Sequence, residues 1–150
     1  MPAKLVLVST LLLVVGLLGA CGSAPAAPTT VPPGSAALVV QGKVGQELHL
    51  SLDDLKALGV QKLTAEHPKK GPQEYEGVLL SAVLDKAGLA SDATTAVLTA
   101  SDGFSAEVAV ADAKACSNCL VAIEGSTLSM VMPGMPSKSW VKSVTTIEIK

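Results

Sequence analysis

The 150-residue chain contains no arginine. Arginine is the side chain that grips carboxylate or phosphate with two parallel hydrogen bonds, so an anion site here has to be built from lysine, backbone N–H groups or helix N-termini. That argues against a tight oxyanion-processing active site. Aromatic residues are almost as scarce, with one each of tyrosine, phenylalanine and tryptophan at Tyr75, Phe104 and Trp140. Base stacking needs aromatic side chains beside basic ones, and outside residues 1–20 ten lysines stand against thirteen acidic residues. Both facts argue against nucleic-acid binding. Histidine is limited to His49 and His67, and cysteine to Cys21, Cys116 and Cys119. A structural zinc centre takes about four nitrogen or sulfur ligands, which this inventory barely supplies. No Ser/His/Asp arrangement and no glycine-rich phosphate loop is present. The apolar run from Leu5 to Ala20 falls short of the roughly 20 residues that span a bilayer.

That run has a different use. Lys4 gives a short positive region, Leu5 to Leu18 are uncharged and largely apolar, and small residues follow, as in a cleaved export signal. Leu18-Gly19-Ala20-Cys21 resembles the lipobox of bacterial lipoproteins, which implies that Cys21 is lipidated after cleavage. Residues 21–36 carry Pro25, Pro28, Pro32 and Pro33 among small residues, a composition that buries little apolar area and serves as an extended tether. The expected organisation is a signal peptide over residues 1–20, a lipidated cysteine and tether over 21–36, and one folded domain over 37–150. The protein is then a bacterial cell-membrane lipoprotein on the extracytoplasmic side. With Cys21 acylated, Cys116 and Cys119 remain as an even pair, and in an oxidising compartment such a pair forms a disulfide.

Within the domain, Leu38 to Val40 and Gln46 to Leu50 flank a glycine-containing turn and predict two short strands. Ser51 with Asp54 three residues on predicts a helix start, Leu52, Leu55 and Leu58 form its apolar face, and Gly59 ends it. Val60 to Glu66 is a possible strand, and His67 to Tyr75 is expected to be a polar loop. Leu80, Val83, Leu84 and Ala87 recur at helical spacing, with Gly88 just past the end. Thr95 to Ala100 and Phe104 to Val110 predict a hairpin about Ser101-Asp102-Gly103. Ala111 to Ala115 predicts a helical turn, Leu120 to Glu124 and Leu128 to Met132 two strands, and Val144 to Ile149 a closing strand. The expected class is α+β, mainly antiparallel β with two short helices.

The order of these pieces resembles the oxidoreductase molybdopterin-binding domain, the fold of the sulfite oxidase core. The likeness runs through Gly42-Lys43-Val44, Leu50 to Leu55, Tyr75-Glu76-Gly77-Val78-Leu79-Leu80 and Ala87-Gly88-Leu89. It continues through Ser101-Asp102-Gly103-Phe104, Val131-Met132-Pro133-Gly134, Trp140-Val141-Lys142 and Ile147-Glu148-Ile149. In catalytic relatives a cysteine ahead of the Gly-Val-Leu segment binds molybdenum, yet Gln61 to Tyr75 contains none and is too short to wrap a pyranopterin. Where relatives carry an arginine before the Val-x-Pro turn, this chain has Ser129. The Val-Lys pair that helps hold the cofactor is kept as Val141-Lys142. The resemblance therefore implies the scaffold without its metal ligand, and a fold does not by itself establish an activity.

Carried residue by residue, the resemblance places a ligand site at His67, Lys69, Lys70, Tyr75, Asp102, Ser105, Gly134, Lys138, Trp140 and Lys142. The expected role is a non-catalytic module that binds a small ligand or a redox partner protein. Molybdopterin stands as a cofactor by family resemblance only, and no catalytic or metal-ligating residue is assigned. Two enzyme readings compete: molybdopterin chemistry without a cysteine ligand, and thiol-disulfide exchange at Cys116 and Cys119. The second is weakened because C-x-x-C exchange sites place the first cysteine at a helix N-terminus, whereas this pair runs into the strand-like Leu120-Val121-Ala122-Ile123. Met130, Met132 and Met135 could serve as soft copper ligands, although core filling is the simpler role. His49, on an alternating strand, is expected to be exposed or hydrogen-bonded.

Overall fold

The computed structural model describes residues 36–150, so the export signal, Cys21 and all but the last residue of the tether lie outside the described residues. Strand β1 (Leu38–Gly42) pairs antiparallel with β2 (Leu48–Leu50), with Leu38 opposite Leu50 and Val40 opposite Leu48. Their alternation sends these four side chains to one face, where all are buried. The last strand, β9 (Val144–Ile149), runs parallel to β1 on one side and antiparallel to β5 (Thr95–Ala100) on the other, and β6 (Ser105–Ala109) completes a sheet of order β2-β1-β9-β5-β6. A second, wholly antiparallel sheet has the order β3-β4-β7-β8, formed by Val60–His67, Gly71–Leu79, Leu120–Glu124 and Thr127–Val131.

Short helices close the gaps between the sheets. Helix α1 (Leu52–Ala57) begins with a complete capping box: Ser51 Oγ accepts from the Asp54 N–H, and Asp54 Oδ2 accepts from both the Ser51 N–H (3.0 Å) and its hydroxyl (2.6 Å). Helix α2 (Leu80–Ala87) has no side-chain cap at its start, and the Leu80 N–H donates instead to the Cys119 carbonyl at 2.9 Å. Gly88 ends α2 in the left-handed conformation, at φ 66°, and its N–H returns to the carbonyls of Leu84 and Asp85. Helix α3 (Val110–Ala115) packs on α2 and ends at Cys116. Among the described residues no helix is long and apolar enough to cross a membrane.

The segment expected as a polar loop, His67 to Tyr75, is instead the tip of the β3–β4 hairpin, with His67 opposite Gly71 and Leu63 opposite Tyr75. Its alternation was hidden because the outward positions are polar and the inward ones small or amphipathic: Ala65, Gln73 and Tyr75. Other boundaries moved by one or two residues, with β6 ending at Ala109 so that Val110 opens α3, and β8 running Thr127–Val131. The remaining predicted elements stand where the sequence placed them.

One face of the second sheet joins the main core through Val78, Val121, Leu128 and Met130. Its opposite face carries a separate small cluster of Ala65, Tyr75, Leu120, Ala122 and Val131, with Leu63, Leu79 and Trp140 packed against it. β4 and β7 approach so closely at Gly77 that a Cβ there would lie 2.5 Å from the Ala122 Cα and closer still to the Val121 carbonyl oxygen. Only glycine fits between these strands. Gly77→Ala should therefore force them apart and cost about 1–3 kcal/mol, read as a lower midpoint in urea unfolding. A second expectation concerns the capping box. The Ser51 hydroxyl and amide hold the Asp54 carboxyl below its usual range. A lowered carboxylate contributes stability above its unfolded value, near pH 4, that is lost as the pH falls through the folded value. Ser51→Ala should cost about 1 kcal/mol at neutral pH, and its gap from the parent protein should narrow in acid.

Candidate functional site

Trp140 gathers the site. The chain leaves β8 through Pro133 to Pro136, makes one 3₁₀ turn at Ser137–Ser139, and returns so that the Met130 N–H donates to the Val141 carbonyl at 2.7 Å. That hydrogen bond holds the returning segment against the edge of β8 and brings Trp140 onto the outer face of the second sheet. There the indole meets His67 edge-on with ring centroids 5.1 Å apart, and Tyr75 edge-on at 6.1 Å, a favourable arrangement of ring edges and faces. Below the three rings lies a cavity of about 80 Å³, lined by His67, Lys70, Gln73, Tyr75, Trp140 and Lys142. Glu124, Ser129 and Val131 line it too, as does Met130, whose side chain is buried in the main core.

The polar atoms of this cavity are mostly donors. The Trp140 Nε1 is buried and has no hydrogen-bond partner. The Lys69 N–H donates to His67 Nδ1 at 3.1 Å, which in the neutral ring places the proton on Nε2. Lys70 and Lys142 are exposed and stand at the rim. The principal acceptor is Glu124, which the buried Ser129 hydroxyl orients by donating to Oε2 at 2.9 Å. Burial first, and then the Glu124 charge, push the Tyr75 hydroxyl above its ordinary pKa, so that it stays a protonated donor.

Five of the expected ligand residues thus converge: His67, Lys70, Tyr75, Trp140 and Lys142. The other five do not line the cavity. Lys69 contributes its backbone to the His67 turn. Asp102 accepts from the Phe104 N–H at 2.9 Å and so builds the β5–β6 turn, with Ser105 exposed beside it. Lys138 is exposed on the 3₁₀ turn, and Gly134 lines a separate open groove with Pro133, Met135, Pro136 and Cys116. Sequence reasoning missed Gln73, Glu124 and Val131 as lining residues. The only signal available for them was strand alternation, which needs the β3–β4 hairpin to be recognised first. Ser129 was noted only as the place of a family arginine.

Cys116 and Cys119 are joined by a disulfide. It links the end of α3 to the start of β7, with Cys119 fully buried and Cys116 half-buried. Attack by an external thiol on Cys116 would expel Cys119 as a thiolate into an apolar core, and Cys116 lies at the C-terminal, electronegative end of a helix. Both facts suit a staple rather than an exchange centre. Met130 and Met132 are buried in the main core, while Met135 lines the open groove, so the three thioethers do not meet at one point. Among the described residues no group of three or more His, Cys, Asp or Glu is placed to hold a metal ion. His49, in β2, is half-buried with an unpartnered Nδ1.

No family model and no curated protein matches the chain. Among solved structures it is similar to the sulfane dehydrogenase SoxCD from Paracoccus pantotrophus, with a TM-score of 0.64 and 18% identity over 75% of this chain. The fold is sulfite-oxidase-like. The chain spans 37% of the length of that SoxCD chain. A sulfite-oxidase-like fold raises the question of molybdopterin, and the residues present do not suit it. No cysteine lines the cavity, the two cysteines among the described residues are bonded to each other, and Ser129 gives its hydroxyl to Glu124. The cavity's volume of about 80 Å³ is also well below the roughly 300–1,000 Å³ of sites for larger ligands, whereas the open groove at Gly134, at about 490 Å³, lies within that range but holds its one cysteine, Cys116, in the disulfide.

The disulfide closes a very short loop, so the loop-entropy relation assigns it about 2 kcal/mol. Replacing both cysteines (Cys116→Ala with Cys119→Ala) should lower stability by about that amount in denaturant titration and leave the fold intact. A protein that no longer folds would show that the staple is essential to the β7 junction.

Proposed function

We propose that this chain is a lipid-anchored extracytoplasmic domain that uses a sulfite-oxidase-like scaffold as a non-catalytic binding module, for a small ligand or a partner protein of a redox system. The observation that supports the reading is the cavity beneath Trp140. It collects donor side chains from β3, β4 and the segment before β9, and among the described residues no group of three or more His, Cys, Asp or Glu is placed there to hold a metal ion. Such a collection of donors suits holding and orienting a ligand. The lipobox-like Leu18-Gly19-Ala20-Cys21 and the proline-containing tether support placing the domain close to a membrane surface.

The likeness of fold favours one rival, an oxidoreductase that binds molybdopterin without a protein thiolate. Elemental analysis with pterin fluorescence decides between them, on protein made in a host that synthesises and exports the cofactor. The binding-module reading expects neither molybdenum nor pterin in a folded, monodisperse sample, and molybdenum at about one atom per chain would replace it with the enzyme reading. Anchoring is tested separately. Cys21→Ser should abolish fatty-acid labelling and release the protein from the membrane fraction, and retention of label would remove Cys21 as the attachment point.

A further inference from the structure

The cavity beneath Trp140 contains a demand that the protein itself does not meet. A buried indole N–H without an acceptor costs about 1–3 kcal/mol unless water or a ligand satisfies it, and Trp140 Nε1 is in that position on a residue lining the cavity. The same cavity is lined by His67, whose neutral ring carries its proton on Nε2, by Tyr75, and by the exposed Lys70 and Lys142. Among the lining residues Val131 supplies an apolar side chain on the same sheet face as Tyr75. Glu124 adds a fixed negative charge, anchored by Ser129.

From this arrangement, and resting on the binding-module reading, we infer that the cavity is a site for the monoanion of a short-chain carboxylic acid. The carboxylate accepts from Trp140 Nε1–H and from the cationic and imidazole donors of the lining, and the short alkyl end lies against Val131. Two features separate this ligand from an inorganic dianion such as sulfate. A dianion presents four oxygens that need many donors in a place with no arginine fork, and Glu124 repels two negative charges about twice as strongly as one. A monocarboxylate needs few donors and uses the apolar wall, which a sulfate cannot. The cavity of about 80 Å³ restricts the ligand to a few heavy atoms and so selects a free small acid over an acidic segment of a protein.

The chain has one tryptophan, so its full-length ¹⁵N-labelled form, purified in detergent, gives a single indole N–H resonance that reports directly on the site. Titration with propionate is expected to shift that resonance saturably, whereas the neutral isostere propionamide and sulfate leave it nearly unmoved. Lys142→Ala, at an exposed position, should weaken propionate binding about two- to fivefold. Trp140→Phe should weaken it about tenfold, read on the backbone amides of Ser129 and Val131. A response to sulfate equal to or stronger than that to propionate overturns the carboxylate assignment while leaving a binding module in place. An equal response to propionamide shows that charge is not recognised and also overturns it. Silence toward all three probes overturns the site itself, whereas molybdenum in the purified protein is the separate result that overturns the underlying reading.

Discussion

The hydrogen bond from the Met130 amide to the Val141 carbonyl carries more of this structure than its 2.7 Å length suggests. β8 is the last strand of its sheet, and an edge strand leaves a row of unpaired amides and carbonyls. By returning to that edge, the segment after Pro136 occupies part of the row and places Trp140 over a face that would otherwise expose Tyr75, Leu120 and Val131. The same contact hands the chain on to β9, the strand that fills the centre of the other sheet. Edge protection, a second small core and the cavity are thus three results of one chain reversal.

Much of the fold was legible in the sequence because its signals were local. Ser51 and Asp54 are three residues apart and satisfy each other's backbone, which requires no knowledge of the rest of the molecule. The apolar spacing from Leu80 to Ala87 with Gly88 behind it, and the turn at Asp102-Gly103, are of the same kind. What stayed illegible depended on contacts between distant segments. Pro72, Gln73 and Glu74 look like a loop until Ala65, Gln73 and Tyr75 are seen to share a sheet face with Ala122. Glu124 reads as a turn residue until the Ser129 hydroxyl is found on its carboxylate. Half of the expected ligand residues met in one cavity, and they were those carried by the hairpin and by the Trp140 segment. The others, Asp102 among them, serve the turns on which they sit.

The sulfite-oxidase-like likeness concerns architecture, and the architecture is retained in places where chemistry demands nothing. Gly77 is required because β4 and β7 touch there, and Gly88 because a helix ends there. Both would be needed in any protein of this shape, whatever it binds. Other positions serve contacts particular to this chain. Ser129 is turned inward to a carboxylate, and the cysteines secure a helix end to a strand. A scaffold can therefore keep its packing constraints intact while the composition of its cavity changes, which is why likeness of fold and likeness of function separate so readily.

The position of β9 between β1 and β5 bears on when the domain can form. A chain is synthesised from its N-terminus, and until Val144–Ile149 are made the β1–β2 and β5–β6 hairpins have no strand to unite them. Contacts of such long sequence separation form slowly, since the intervening chain must be closed into a loop first. A sheet whose central strand is the last of its strands to be made stays divided until that strand arrives. The topology itself thus acts as a timer on the closing of that sheet.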